Sequence, residues 1–307
     1  MAQRLSILIY HRVLQERDPL QPDIATAAGF EARMRWLRRV FRILPLSDAL
    51  KRLRDGKLPG RAMSVTFDDG YADNAEVALP ILRRLSIPAT FFIATGFLDG
   101  GRMWNDTVIE TVRSAGGSDL ETPGLDLGRL PCRTDDEQRH AIRELLGALK
   151  YHPPERRQEL TDGIGLASGL SLPSLMMRES QVCELFDAGM EIGAHTVQHP
   201  ILASIDKVTA RREIAQSKAH LEEILGARVS LFAYPNGQPE QDYTARDVEI
   251  VRDAGFEGAV STAWGTALPD SDPFQLPRFT PWDRSTHRFM ARLAHRRWLA
   301  PEATAAG

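Results

Sequence analysis

Short apolar segments alternate with amphipathic helical patterns along most of the 307-residue chain. Each apolar segment has the length of a buried strand, and most are followed by a stretch in which apolar residues recur every three or four positions. This alternation predicts a parallel sheet covered by helices, because parallel strands need long crossover connections that are usually helical. The predicted strands are 5–10, 63–67, 89–94, 190–194, 229–234 and 256–260.

The predicted helices fill the intervals between these strands. Residues 74–85 are expected to form a helix kinked at Pro80, and Ser47 is expected to cap a short helix that runs to Leu53. A last helix is expected around residues 286–298. The length suits one α/β barrel, so a single domain spanning residues 1–307 is predicted.

Residues 100–178 interrupt the alternation. A glycine-rich stretch at 116–128 is followed by Thr134 and Glu137, spaced as a capping box, and then by a helical apolar stripe. We therefore expect a largely helical insertion that packs beside the barrel.

Composition excludes several classes of partner. The formal net charge of −3 gives no general attraction to nucleic acid or to an anionic membrane. Cys132 and Cys183 form no CxxC pair, so neither a disulfide framework nor a cysteine-ligated metal is indicated. No stretch reaches the roughly 20 apolar residues that cross a bilayer, and the first residues do not resemble a secretory signal. A cytoplasmic protein without membrane insertion is expected.

Polar side chains gather at one end of the predicted strands. His11, Asp68, Asp69, His195 and the turn at 234–237 all lie at or just beyond a carboxyl end, where barrels keep their active sites. Each feature alone has a plainer interpretation, since an Asp-Asp-Gly sequence is commonly a solvated turn and a histidine can simply end a strand. Their shared location favours a functional site.

His195 and His199 are four residues apart, so we expect both imidazoles on one face of a helical turn, able to reach a common ion. With one carboxylate from the Asp-Asp pair they would form a site that leaves room for water and substrate, as catalytic zinc sites do. The same ligands could hold iron(II) for oxygen chemistry. The alternation of strands and helices argues against that setting, which we associate with β-sandwiches.

Two stretches resemble the signature motifs of a known family. Residues 66–70, Thr-Phe-Asp-Asp-Gly, and residues 195–199, His-Thr-Val-Gln-His, resemble the first two motifs of the polysaccharide deacetylases, the family 4 carbohydrate esterases with a NodB-like domain. The resemblance extends over roughly 5–278, with 100–178 outside its motifs. It implies an α/β fold, a distorted (β/α) barrel. It also implies an enzyme that uses a divalent metal, commonly Zn²⁺, to remove N-acetyl or O-acetyl groups from sugars.

The resemblance also implies roles for individual residues. Asp69, His195 and His199 would hold the metal, and Asp68 would be the general base for the attacking water. The oxyanion would be stabilised by the metal and by a backbone N–H near Asn236. That residue lies in a loop, with Tyr234, that resembles the third motif. The alternative for this loop is a plain Pro-Asn-Gly turn.

The general acid comes from an unusual position. Typical members supply it from a Leu-x-x-His motif near the carboxyl terminus, but residues 276–279 read Leu-Pro-Arg-Phe. Residues 10–13, Tyr-His-Arg-Val, instead resemble the displaced motif of exopolysaccharide deacetylases of the poly-N-acetylglucosamine type, whose catalytic segments are circularly permuted. His11 is therefore assigned as the acid, and His287 on the predicted terminal helix is a weaker substitute.

Other positions depart from the family pattern. Ala233 stands where the third motif usually carries an arginine that pairs with the base, and Asn236 stands where a tyrosine is usual. Arg278 could replace that arginine or could form a surface or interdomain ion pair. Trp104 could stack on a sugar ring or belong to the core.

The leading hypothesis is a metal-dependent hydrolase that removes acetyl groups from N-acetylated amino sugars of a glycan or glycan precursor. One alternative is a catalytically inactive barrel that only binds carbohydrate. Another is an amidohydrolase acting on a non-sugar amide. The presence of both Asp68 and Asp69 favours an enzyme, since binding alone needs no base.

Overall fold

The structure, a computed structural model, describes residues 3–167, 172–281, 289, 292 and 304–305. The chain forms two compact units. The barrel unit comprises Met1–Glu16, Asp23–Asp99 and Met177–Gly307, and the insertion unit comprises Arg17–Pro22 and Gly100–Met176. Most of the predicted insertion thus forms a unit of its own, joined by a short piece from near the amino terminus. The prediction of one domain spanning 1–307 stays a prediction.

Strands and α-helices alternate through the barrel unit. The strands of the described residues are β1 (Leu5–Tyr10), β2 (Val13–Leu14), β3 (Ala25–Thr26), β4 (Arg42–Ile43), β5 (Ala62–Phe67), β6 (Thr90–Ile93), β7 (Asp119–Glu121), β8 (Arg129–Pro131), β9 (Glu191–Ala194), β10 (Leu231–Ala233) and β11 (Gly258–Val260). The α-helices are α1 (Ala27–Val40), α2 (Leu46–Arg54), α3 (Leu79–Leu85), α4 (Trp104–Ser114), α5 (Asp135–Leu149), α6 (Pro154–Ala167), α7 (Glu179–Asp187), α8 (Lys207–Leu225) and α9 (Ala245–Asp253).

One parallel sheet organises the barrel unit. Its strands follow the order β1-β5-β6-β9-β10-β11, and β4 also pairs with β5. Every pairing in this sheet is parallel, as predicted. All of these strands therefore end at the same edge, which brings the segments that follow β1, β5, β9 and β10 together.

The segment at 276–279 joins the last strand of this sheet to the first. Leu276 bridges Val260 of β11, and Phe279 bridges Leu8 of β1. The Phe279 N–H donates to the Ile7 carbonyl at 2.8 Å, and the Ile9 N–H donates to the Phe279 carbonyl at 3.0 Å. These bonds close the sheet in the manner of a barrel and hold Arg278 between the two bridges.

Burial in the core explains why these strands are largely apolar. All six residues of β1 and all six of β5 are buried, as expected for parallel strands covered on both faces. At the carboxyl end of β5, the ring of Phe67 stacks on Phe91 of β6 with centroids 4.7 Å apart. The residue directly after this packed ring is Asp68.

Two local predictions need correction or refinement. Ser47 does not cap α2, because the N-cap is Pro45. Glu191, at the start of β9, accepts the Leu46 N–H at 2.6 Å and the Ser47 N–H at 3.2 Å, so a carboxylate distant in the sequence satisfies the helix end. The predicted helix at 74–85 begins as a π-helical turn, Asn74–Ala78, and continues as α3, which carries Pro80 in its first turn.

The insertion unit contains α4, α5, α6 and the antiparallel hairpin β7–β8 around its own apolar cluster. The capping box of Thr134 and Glu137 is confirmed at the start of α5. Across the described residues, none of the helices combines the length and the apolar character that crossing a bilayer requires. The predicted helix at 286–298 lies outside the described residues except for residues 289 and 292.

Candidate active site

The backbone turns sharply where β5 ends. Asp68 still belongs to the strand ladder, since its N–H donates to the Tyr10 carbonyl at 2.9 Å. Asp69 and Gly70 then adopt left-handed backbone conformations with φ of +79° and +91°. Aspartate is among the few non-glycine residues that enter this region with some frequency. Because of the turn, the two adjacent carboxylates meet different partners.

Asp68 is paired with Arg278. Two guanidinium nitrogens of Arg278 donate to the two carboxylate oxygens of Asp68, each at 2.7 Å. Asp68 is 2% exposed and Arg278 is 1% exposed. The Arg278 Nε donates to the Ser261 carbonyl at 2.8 Å, and one terminal nitrogen donates to the Thr66 hydroxyl at 3.1 Å. This bidentate, charge-assisted geometry fixes the plane of the Asp68 carboxylate.

The ion pair sets the protonation state of Asp68. Burial alone would raise the pKa of this carboxyl, but the charges of Arg278 and His195, together with the hydrogen bonds from Arg278, outweigh it and hold the pKa below the ordinary value. Asp68 is therefore a carboxylate at neutral pH and can accept a proton. Of the two environments expected for Arg278, the structure contains the pairing with Asp68.

Asp69 lies between two imidazoles. Its Oδ1 is 3.4 Å from Nε2 of His195 and 3.5 Å from Nε2 of His199. One ligand atom from each of the three residues lies within 4.8 Å of the others. Both Asp69 distances exceed those of a good N–H···O bond. They approximate the separation of about 3.3–3.4 Å between two ligands that are each about 2.0–2.1 Å from a tetrahedral zinc ion. The three residues thus fit a divalent ion.

The His195 ring is oriented by the neighbouring strand. Its Nδ1 lies 2.7 Å from the carbonyl oxygen of Ala233, the last residue of β10. A carbonyl oxygen can only accept, so Nδ1 carries a proton, and in the neutral imidazole Nε2 is then the nitrogen whose lone pair can bind an ion beside Asp69. Metal-bound histidines are commonly oriented by such a contact.

The charge states of the other two residues also suit a metal. Burial and the neighbouring charge of His195 lower the pKa of His199 to about 4, so its imidazole is neutral at neutral pH. Burial alone would raise the pKa of Asp69, but the close imidazole of His195 and the charges of nearby histidines lower it well below its ordinary value. A neutral imidazole and an ionised carboxylate are the forms that bind metal.

The loop that carries both histidines is not helical, which corrects the prediction of a helical turn. Thr196 and His199 have positive φ angles of 65° and 51°, so the backbone bends back on itself. Glu213 of α8 accepts the Val197 N–H at 2.9 Å and the Gln198 N–H at 2.8 Å. The bent loop brings the two imidazoles together with ring centroids 4.7 Å apart.

Glu213 was missed by the sequence analysis. It lies on the buried face of α8, in register with Ala210, Ile214 and Ser217. A carboxylate on an otherwise apolar or small-residue stripe needs a partner. A glutamate on the buried face of a helix was therefore the sequence feature that could have indicated this role.

His11 follows β1 and is exposed. Its main-chain carbonyl accepts a hydrogen bond from the Asn74 side-chain amide at 2.9 Å. The parallel pairing of β1 with β5 sets Tyr10 against Phe67, so His11 and Asp68 each directly follow a paired strand end. Its role as the acid stays a prediction, and His287 lies outside the described residues.

The predicted role of the loop after β10 stays a prediction. The Tyr234 side chain is fully buried, its hydroxyl donates to the Phe274 carbonyl at 3.0 Å, and its ring stacks on Tyr243. The side chain of Tyr234 therefore packs in the core. Asn236 is exposed with φ of +56°, and no acceptor for its N–H is found among the described residues.

Trp104 begins α4 in the insertion unit. Its ring is half-buried and lies beneath the guanidinium of Arg157, with the cation 4.8 Å from the ring centroid. Stacking on a sugar stays a prediction for this residue.

Comparison with known proteins extends these observations. A family model described as Polysaccharide deacetylase matches residues 55–159 and 169–259. YxkH of Bacillus subtilis is 22% identical over 277 residues, which cover 90% of this chain and 70% of that protein. A poly-beta-1,6-N-acetyl-D-glucosamine N-deacetylase of Staphylococcus epidermidis is 30% identical over 112 residues, which cover 32% of this chain and 38% of that enzyme.

Two solved structures share the fold over nearly the whole chain. IcaB from Ammonifex degensii matches with a TM-score of 0.63 and 21% identity, covering 96% of this chain and 97% of that one. The Streptococcus pyogenes deacetylase PplD matches with a TM-score of 0.63 and 18% identity, covering 95% and 98%. This likeness confirms the predicted distorted (β/α) barrel. Since the family model matches more than half of the sequence, the chain belongs to the polysaccharide deacetylase family.

Proposed function

We propose that this protein is a metal-dependent hydrolase that removes acetyl groups from N-acetylated amino sugars of a glycan or glycan precursor. The observation that carries the proposal is the division of two adjacent acids between two environments. Asp68 is ion-paired with Arg278, and Asp69 lies between His195 and His199. A pair of acids that only ended a strand would need neither arrangement.

Asp69, His195 and His199 would hold the ion. One carboxylate and two imidazoles are typical of catalytic zinc sites, so we propose zinc. When bound, a zinc ion would polarise the acetyl carbonyl and lower the pKa of a water molecule at the site.

Asp68 acts as the general base in this proposal. It takes a proton from the attacking water as the new C–O bond forms. Arg278 keeps the carboxylate ionised and fixes its orientation, since both of its hydrogen bonds to Asp68 are 2.7 Å long. The missing third-motif arginine is thereby replaced from another part of the chain. The exposed N–H of Asn236 supplies a donor for the oxyanion.

His11 acts as the general acid. An amine leaves poorly as an anion, so the C–N bond breaks with transfer of a proton to nitrogen. The products are acetate and the free amino sugar. The exposed position of His11 at the end of β1, the strand that pairs with β5, supports this role.

The relatives suggest which sugar to test first. The Staphylococcus epidermidis relative is named for deacetylation of poly-beta-1,6-N-acetyl-D-glucosamine, although the alignment spans only 38% of that enzyme. We therefore place β-1,6-linked N-acetylglucosamine oligomers at the head of the candidate substrates.

An acetate-release assay tests the proposal. The protein as purified, after chelation and after reloading with zinc is offered β-1,6-linked oligomers, chitooligosaccharides and nucleotide-linked N-acetylglucosamine. We expect release from at least one of these, lost on chelation and restored by zinc. Full activity without metal would contradict metal dependence. Binding without release would favour the inactive barrel, and hydrolysis of simple amides alone would favour a non-sugar substrate.

A further inference from the structure

The segment that follows the paired acids also holds the loop that carries His11. The Asn74 side-chain amide donates to the His11 carbonyl at 2.9 Å. The Asp73 carboxylate accepts the Val13 N–H at 3.0 Å and the Arg12 Nε–H at 2.8 Å. Three consecutive residues, 11–13, are thus held by two adjacent side chains.

The side chains that make this contact are buried. Asn74 is fully buried, Asp73 is 8% exposed, and the Asn74 amide also donates to the Asp73 carboxylate at 3.2 Å. The guanidinium of Arg12 lies 4.7 Å from the centroid of the Tyr71 ring. Removing one partner would leave a buried polar group unpaired, which is costly. The backbone around His11 therefore has little freedom to move.

This contact joins the segment that carries the paired acids to the loop that carries His11. Asn74 follows Asp69 by five residues, and both sit on the segment that leaves β5. The His11 loop leaves the neighbouring strand β1. The hydrogen bonds to Asp73 and Asn74 consequently tie the backbone that carries His11 to the segment that carries the acids.

We propose that Asp73 and Asn74 are positioning residues that hold His11 where it protonates the leaving amine. This inference rests on the proposed function, in which His11 is the general acid. Neither side chain touches substrate in this account. Both act through the backbone of residues 11–13.

Two substrates with the same acetyl group and different leaving groups separate positioning from general damage. A sugar amide needs a proton on its leaving nitrogen, whereas the 4-nitrophenolate of 4-nitrophenyl acetate leaves without one. We expect Asn74→Ala and Asp73→Asn to lower kcat on the N-acetylglucosamine oligomer by about 10- to 100-fold. On the aryl ester the loss should be under about threefold, with metal content and KM unchanged.

Glu76→Gln is the matched control. Glu76 belongs to the same π-helical turn as Asn74, but its side chain is exposed and accepts a hydrogen bond from Gln181 at 3.1 Å. It should leave both activities unchanged. Equal losses of Asn74→Ala on the amide and the ester would indicate a structural role and overturn the inference.

A double-mutant cycle on the amide alone provides a second readout, independent of any esterase activity. In a His11→Ala background, Asn74→Ala should cost less than about twofold, because the acid it positions is already gone. A fully additive loss would overturn the inference. If the Asn74→Ala enzyme were as active as wild type, this inference would be overturned and the proposed function would be unaffected. No acetate release by wild type, or an undiminished His11→Ala variant, would instead overturn the proposed function on which it rests.

Discussion

Asp68 and Arg278 lie 210 positions apart in the sequence and form a buried ion pair through two hydrogen bonds of 2.7 Å. Arg278 lies on the segment that bridges β11 to β1, between the pairings of Leu276 and Phe279. The environment of the proposed base therefore depends on closure of the sheet. An arginine on the segment that closes the sheet thus also keeps Asp68 ionised.

Arg278→Lys tests this dependence. Lysine keeps the positive charge but cannot donate two parallel hydrogen bonds, so the Asp68 carboxylate loses its fixed plane. We expect kcat for acetate release to fall by about 10- to 100-fold with metal content unchanged. Arg278→Ala should in addition destabilise the fold by about 3–5 kcal/mol, because it leaves a buried carboxylate unpaired.

Arg246→Lys is the control for that experiment. Arg246 pairs with the buried Asp247 at 2.7 Å and donates to two carbonyls, but it has no place in the proposed site. The Arg246→Lys replacement should lower the free energy of unfolding and leave kcat near the wild-type value. If Arg278→Lys behaved the same way, the ion pair would be structural only.

Glu213→Gln tests how the two histidines are held. Glu213 accepts the N–H groups of Val197 and Gln198, which lie between the two proposed ligands. A neutral amide accepts these bonds more weakly, so the loop should hold its bent shape less well. Zinc affinity measured by competition with a chelator should fall by about 10- to 100-fold. Unchanged affinity would show that the loop keeps its geometry without Glu213.

Asp18 provides a prediction about the insertion unit and pH. Burial alone would raise its pKa, but hydrogen bonds from Arg113 and from the Leu20 N–H hold the pKa below its ordinary value of 3.8. A lowered carboxyl pKa contributes stability that is present above the ordinary value and is lost as pH falls through the folded-state pKa. Asp18→Asn should therefore cost about 0.5–1 kcal/mol at neutral pH and progressively less below pH 4.

Urea unfolding of wild type and Asp18→Asn across this pH range measures that difference. Asp126→Asn is the control, since Asp126 is an exposed aspartate of the same unit. A difference between wild type and Asp18→Asn that persists unchanged into strong acid would contradict an electrostatic origin.

Much of the site was predictable because it depends on strand ends. The alternation of strands and helices predicted a parallel sheet, and residues that follow parallel strands meet at one edge. Asp69, His195 and His199 therefore came together as expected. His11 leaves the neighbouring strand β1 at the same edge, although its role is still a prediction.

The parts that escaped prediction depend on contacts distant in the sequence or on local backbone detail. The choice between two environments for Arg278 required knowing that Leu276 bridges β11 and Phe279 bridges β1. The bend at Thr196 and His199 comes from positive φ angles that a spacing of four does not reveal. The cap of α2 comes from Glu191, far along the chain.

Side-chain direction is a further property that a strand end does not predict. Tyr234 sits in the loop that resembles the third motif, yet its ring packs against Tyr243. A strand end places a residue near the site without fixing which way the side chain points. Core packing decided that direction here.

The most direct test compares Asp68→Asn with Asp69→Asn, with metal content and acetate release measured on the same preparations. Asp68→Asn should retain the metal content of wild type and lose acetate release by at least about 100-fold. Asp69→Asn should lose both the bound metal and acetate release. Loss of metal from Asp68→Asn, or near-wild-type acetate release by either variant, would contradict the division of the two acids into a base and a metal ligand.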